Sequence, residues 1–296
     1  MKQFGLPNNY RIKLAPYVFI SPFYLLFLVF MVYPILFSLR ASFTKWNGIT
    51  EMEWVGLDNY VKLLQDDIFI QSIINSLILF FMYVPIMLLL ALIIAVILNN
   101  GSIKFKNFFR TAFYIPNITS VVAVAFVFGM AFDTKYGFIN QALGVFGVDK
   151  ISWFGSPLGS RFAISLLLIW KWLGYNMVLM LANLQTIPYS LIEAAKIDGA
   201  STVKVFLRII VPLMRPVLLF CTVLSTIGTF SLFTEPMILT GGGPLYKTIT
   251  PVLYIYRESF EHLRMGYASS LAYAFFILMI LLSLAQFKLS HMTEKG

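Results

Sequence analysis

The chain has 296 residues, of which 59% are hydrophobic and 12% charged, with 22 Lys and Arg against 13 Asp and Glu for a formal charge of +9. A water-soluble domain keeps about a quarter of its residues charged, so this composition excludes a soluble globule and makes lipid the solvent. In such a chain a basic excess reports on membrane orientation and not on nucleic acid, and one cysteine, Cys221, with two histidines, His262 and His291, excludes a disulfide framework and a Cys/His metal site.

A hydrocarbon core about 30 Å thick takes roughly 20 apolar residues of helix to cross. Six stretches reach that length, which predicts an all-α polytopic membrane protein. They run at about 14–39, 73–98, 111–132, 162–183, 213–234 and 265–287, the fifth with its charge-free core from Pro216 to Thr234. Together they form one six-span domain, 14–290, between an N-terminal stretch 1–13 and a tail 291–296. The first span is too long for a signal-peptide core and reads as an uncleaved anchor. Pro34, Pro85, Pro116, Pro212 and Pro216 lie in or beside spans, where each either packs against a neighbour that satisfies the freed carbonyl or acts as a hinge.

Short cytoplasmic loops collect Lys and Arg. Sorting the charges into alternate loops puts Lys2, Arg11, Lys13, Lys104, Lys106, Arg110, Lys196, Lys204, Arg208, Arg215, Lys288 and Lys295 on one side, against Glu193, Asp198 and Glu294. Both termini are therefore expected in the cytoplasm, with the loops at about 40–72, 133–161 and 235–264 outside.

Absences narrow the function. No span contains Asp or Glu, which weakens an ion-coupled carrier, since the coupling ion must bind inside. No cluster of His, Asp, Glu or Ser suits catalysis, so the chain is expected not to be an enzyme. Gly241 to Thr248, GGGPLYKT, nearly fits a phosphate loop but has Tyr246 where glycine must let the backbone wrap the phosphates. An energy source, if needed, sits on another chain.

The most organised loop is Thr186 to Pro212, TIPYSLIEAAKIDGASTVKVFLRIIVP. Pro188 stops the preceding helix, Ser190 and Glu193 form a capping box, and a short helix follows. Gly199 is placed for a left-handed C-terminal cap, and Ser201 caps a second helix running through Arg208 toward Pro212. Ala194, Ala195 and Ala200 keep the turn narrow, while Glu193, Lys196, Asp198, Lys204 and Arg208 offer ion pairs. From the residues alone, docking into a partner and resting on lipid headgroups are equally open.

The stretch EAAKIDGASTVKVFLRIIVP resembles the EAA signature of ABC importer permeases: E-A-A, three residues, G, nine residues, I-x-L-P. Glu193, Ala194, Ala195, Gly199, Ile209 and Pro212 match, and Val211 replaces the usual Leu. The resemblance implies a coupling-helix hairpin that sits in a groove of a cytosolic ATPase, with Glu193, Ala194, Ala195, Asp198, Gly199 and Ala200 at the contact. WVGLDNY at Trp54 with Asn75 beyond it, FINQALG at Phe138, WKWLGYNM at Trp170, LTGGGP at Leu239, and YIYRESF with GYASSLAY near the last span resemble the maltose-type carbohydrate-uptake branch. LTGGGP is typical of the first permease of a heterodimeric pair.

What this implies is a non-catalytic permease subunit of a bacterial inner-membrane, binding-protein-dependent importer of a sugar or oligosaccharide. The implied partners are a second homologous permease, a dimer of ATP-binding subunits that uses ATP and Mg, an extracytoplasmic solute-binding protein, the sugar and membrane lipid. No cofactor is expected on this chain. An importer of glycerol phosphate or another polar solute, and an ion-coupled carrier, are the alternatives.

A sugar path needs hydrogen-bonding groups beside aromatic ones. The fourth span offers Lys171, Trp172, Tyr175 and Asn176, with Trp172 and Asn176 on one helix face; Thr226 in the fifth and Tyr273 in the sixth are further candidates. Lys171 either lines the cavity or snorkels to water. Small hydroxyl residues in spans also serve helix packing.

Overall fold

The computed structural model describes residues 8–99 and 104–294. Parts of the expected termini, residues 1–7 with Lys2 and residues 295–296 with Lys295, lie outside the described residues. The chain forms two compact units, Met1–Gln65 with Arg257–Ala274, and Asp66–Tyr256 with Phe275–Gly296.

In the first unit, α1 (Asn8–Phe27), a π-helical turn (Leu28–Val32) and α2 (Tyr33–Ser42) follow without a break. The wide turn, closed by the Tyr33 N–H donating to the Leu28 carbonyl, sits just before Pro34, where a helix must accommodate a lost donor. Apolar side chains from Tyr17 to Leu36 stand exposed, as on a span facing lipid. A two-stranded antiparallel ribbon, β1 (Thr44–Lys45) and β2 (Glu53–Trp54), and α3 (Asp58–Leu64) follow. Asn59 ties them together by donating to the Ser42 and Thr44 carbonyls, each at 2.9 Å. The π turn Arg257–Glu261 belongs to this unit, and its buried Glu258 accepts from His262 at 2.8 Å and Arg264 at 3.3 Å.

The second unit contains α4 (Asp67–Asn99), α5 (Lys106–Ile118), α6 (Val121–Ala131), α7 (Phe138–Val145), α8 (Pro157–Leu184), α9 (Tyr189–Ile197), α10 (Thr202–Val205), a π turn (Phe206–Ile210), α11 (Val211–Leu213), α12 (Arg215–Phe230), α13 (Thr234–Thr240) and α14 (Pro251–Tyr256). The last helix, α15 (Met265–Glu294), gives its first ten residues to the first unit and the rest to the second. The core of the second unit is the seam of α4 with α8, where Leu79, Met87, Ala91 and Ala95 are buried with Ile164, Leu168, Met177 and Met180. In the turn before α7, the Asp133 carboxylate accepts the Tyr136 and Lys135 N–H groups, which holds its carboxyl below the usual carboxylate range.

Four helical stretches, Pro16–Ser42, Asp67–Asn99, Pro157–Leu184 and Met265–Leu289, are long and apolar enough to cross a membrane; two bent pairs bring the number to six if each pair is one span. The expected span 111–132 is not one rod: α5 and α6 meet at 93°. Pro116 removes a donor in the last turn of α5, and Thr119 is extended, so the ladder ends there. The expected span 213–234 ends at Phe230, with a 68° bend near Met214, between Pro212 and Pro216, at its start. Pro85, by contrast, sits inside an unbroken α4.

Helix α5 lies directly on α8. Gly174 makes this possible, because a Cβ there would run into the Phe113 carbonyl oxygen. Gly174→Ala should therefore lower the thermal midpoint of the detergent-purified chain, by the equivalent of about 1–3 kcal/mol for forced overpacking. Gly228→Ala, whose Cβ would meet open space, should leave it unchanged. Equal midpoints for both variants would contradict the contact.

Candidate functional site

Two sets of candidate residues lie at different levels of the second unit. At one end is the hairpin α9–α10. Helix α9 starts one residue before Ser190, because Pro188 already holds the extended conformation an N-cap needs; Ser190 and Glu193 thus lie inside the helix and form no capping box. The other end of α9 is as its sequence predicts. Gly199 has φ +75, the Ala200 N–H donates to the Ala195 carbonyl at 2.9 Å, and the Gly199 N–H to the Lys196 carbonyl at 3.0 Å. This pair of bonds is a Schellman cap, which needs a left-handed residue at its centre. The Ser201 hydroxyl then accepts the Lys204 N–H and starts α10.

The cap turns the chain back sharply and sorts the hairpin residues. Ala195 and Ala200 pack against the core beside Ile192 and Phe206. Glu193, Ala194, Asp198 and Gly199 stand in solvent, and Ile197 is 85% exposed at the tip. Among the described residues, Glu193, Lys196, Asp198, Lys204 and Arg208 form no ion pair with one another, and all five are exposed. A groove of about 830 Å³ runs between the hairpin and the last turns of α4, lined by Ile97, Asn99, Ile192, Lys196 and Phe206 among others.

At the opposite ends of α4 and α8, Asn75 is wholly buried and makes four hydrogen bonds. It donates to the Tyr246 and Ile249 carbonyls at 2.7 and 2.9 Å and accepts from Gln71 and Arg161, both at 2.9 Å. Arg161 also donates to the Lys247 carbonyl at 3.0 Å, and the Lys247 ammonium to Gln71 at 2.7 Å. The glycine-rich segment that mimics a phosphate loop is thus a clamped turn, closed on itself by Thr248 donating to the Gly243 carbonyl.

Between the two ends lie the candidate path residues. Lys171 is buried, and its ammonium meets Glu235 at 3.2 Å and stands 5.5 Å from the centre of the Trp172 ring. Neither sequence reading of Lys171, a lining group or a snorkelling one, includes this partner. Charge sorting assigns Glu235 to an outer loop, but α13 turns back against α6 and α8 and leaves Glu235 only 5% exposed. The clue available in the sequence was the pairing of one lone span lysine with one acid next to a span end.

Trp172 and Tyr175 are half-buried and meet edge to face at 5.9 Å. Asn176 is buried and donates to the Trp172 carbonyl at 3.0 Å and toward the Met87 sulfur at 3.8 Å. Thr226 donates to the Thr222 carbonyl at 2.8 Å and accepts from Gln286 at 2.7 Å. Tyr273 lies in the first unit, where its hydroxyl bonds the Ile35 carbonyl and Ser38. The structure therefore brings Lys171, Trp172, Tyr175 and Asn176 together on α8, while Thr226 and Tyr273 are engaged in packing.

A family model described as "Binding-protein-dependent transport system inner membrane component" matches residues 64–290. The chain is 38% identical over 276 residues to the "Lactose transport system permease protein LacF" of Rhizobium radiobacter, covering 92% of each. It is 34% identical over 283 residues to the "Arabinooligosaccharides transport system permease protein AraP" of Bacillus subtilis, covering 95% of this chain and 90% of that one. Its fold matches a chain of a bacterial ABC transporter "involved in the import of the acidic polysaccharide alginate", with TM-score 0.79 and 23% identity over 96% of this chain and 97% of that one.

Removing one member of a buried ion pair strands the other charge, typically at a loss of about 3–5 kcal/mol. Glu235→Gln or Lys171→Met should each lower the thermal midpoint of the purified chain strongly, and the double variant should recover most of the loss. Additive losses in the double variant would show that the two side chains do not interact.

Proposed function

The chain belongs to the binding-protein-dependent transport system inner membrane components, a multi-pass inner-membrane family, and on that premise we propose that it is one of two permease subunits of an ATP-driven importer for a sugar or oligosaccharide. The observation that carries this reading is the α9–α10 hairpin: a capped tip with Ile197 exposed and charges that form no ion pair among the described residues. Such a surface fits a groove in a partner, and a cytosolic ATPase dimer using ATP and Mg is that partner here. The energy of hydrolysis enters as displacement of the hairpin and rocks the spans between outward and inward access. The chain itself catalyses nothing.

All six spans are used in this reading, with both termini and the hairpin in the cytoplasm. The clamped 241–249 turn then faces outward, where an extracytoplasmic binding protein delivers substrate. A solved alginate transporter was captured with an "alginate pentasaccharide-bound periplasmic protein", and its fold matches this chain with TM-score 0.80. Relatives named for lactose and arabinooligosaccharides support a sugar cargo. Of the candidate path residues, the Trp172 and Tyr175 rings suit the apolar face of a sugar.

Glycerol phosphate is less well served, since the Lys171 charge is already matched by Glu235. An ion-coupled carrier gains nothing from Glu235 for the same reason.

Coupling is tested at the hairpin. A Cβ at Gly199 would meet no atom within 4 Å, but the residue sits at φ +75, so Gly199→Asp should strain the cap locally, leave the spans folded and put a carboxylate at the tip. Glu193→Lys reverses an exposed charge. Both variants should insert normally, lose uptake of labelled lactose or arabinotriose in membrane vesicles, and fail to retain the ATPase on purification. Normal uptake and ATPase retention in both would remove the coupling assignment, and tight binding of glycerol 3-phosphate but neither sugar by the partner binding protein would replace the cargo.

A further inference from the structure

The segment from Lys104 to Arg110, KFKNFFR, enters α5 at the hairpin end of the second unit, because Asn99, the last residue of α4, lines the same groove as Lys196 and Thr202. It carries Lys104, Lys106 and Arg110, and no acidic residue occurs between Asn99 and Ile118. Among the described residues none of these three cations forms an ion pair. The Arg110 Nε is buried from solvent and has no hydrogen-bond partner among the described residues. A guanidinium nitrogen withdrawn from water without an acceptor is an expensive arrangement. An anion supplied from outside the chain would relieve it.

The surroundings say which kind of anion. Lys106 and Arg110 are four apart and share the helix stripe that continues as the half-buried Phe113, Tyr114 and Asn117, the stripe laid against α8. Phe105, Phe108 and Phe109 turn away from that stripe and are exposed, Phe105 by 79%. Phenyl rings beside cations, in the first turns of a helix at the level where α4 leaves the apolar layer, match the boundary between acyl chains and phosphates. A docked protein would need acidic groups for the cations and an apolar surface for the rings within one helical turn, whereas a lipid supplies both in a single molecule.

We propose that Lys104, Lys106 and Arg110 bind the phosphate of an anionic phospholipid, with Phe105, Phe108 and Phe109 against its acyl chains, and that this lipid seats the start of α5 against α8. Placing this lipid in the cytoplasmic leaflet rests on the orientation proposed above; its binding to these residues does not.

The test uses the assembled transporter in nanodiscs of phosphatidylcholine with phosphatidylglycerol. Retained lipid is counted by native mass spectrometry after mild delipidation. Wild type should hold phosphatidylglycerol selectively, and each cation neutralised among Lys104→Gln, Lys106→Gln and Arg110→Gln should weaken retention about fivefold. Arg110→Lys should keep most of it, and Lys196→Gln, in the hairpin, should change nothing. A photo-crosslinking phenylalanine analogue at Phe108 in the otherwise unaltered chain should capture lipid. Equal retention of the two lipids by wild type, or crosslinks confined to the second permease or the ATPase, would overturn the proposal. Absence of sugar uptake by the wild-type transporter with lipid retention intact would count against the transport reading alone.

Discussion

A backbone held in lipid must satisfy its own polar groups, and only helices do so unaided. At three places where this chain departs from regular helix, an asparagine side chain makes up the deficit. Asn59 takes two carbonyls at the turn after α2, Asn75 takes two from the 246–249 turn, and Asn140 donates to the Thr134 and Ile151 carbonyls while accepting from the Trp153 indole. An amide offers two donors and an acceptor in one plane, so one residue can hold two backbone segments at once.

This places the sequence motifs in a different light. WVGLDNY and FINQALG contain two of these asparagines, and Asn75 is the third; in each case the distinctive residue is a structural clamp. LTGGGP leads directly into the 246–249 turn that Asn75 and Arg161 hold. In YIYRESF, the buried Glu258 collects His262 and Arg264. Motifs that mark the carbohydrate-uptake branch are thus, residue by residue, largely the fastenings of its loops. The hairpin motif differs, because its Glu193 and Asp198 form no ion pair among the described residues.

The elements legible in the sequence are those governed by local rules. Apolar run length found the four helical stretches that are long and apolar enough to cross a membrane, and Gly199 with Ser201 defined the hairpin turn because caps depend on a few neighbouring residues. What was illegible depends on contacts between distant segments. Glu235 looked like a loop acid since nothing local shows that α13 turns back toward Lys171. The 93° corner after Pro116 could not be told from the accommodated Pro85, because the outcome is set by what packs around each proline. Asn176 and Thr226 suited a polar path by residue type, and their bonds to the Trp172 carbonyl and to Gln286 were not legible in the sequence.

The bare backbone at Gly174 has a mechanical meaning. Where two helices are separated by side chains, rotamer changes let one slide over the other, but here main chain rests on main chain and no such lubricating layer exists. Helices α5 and α8 must therefore travel as a single strut. The two changes of helix direction in this unit, at Thr119–Ser120 and near Met214, lie outside that contact.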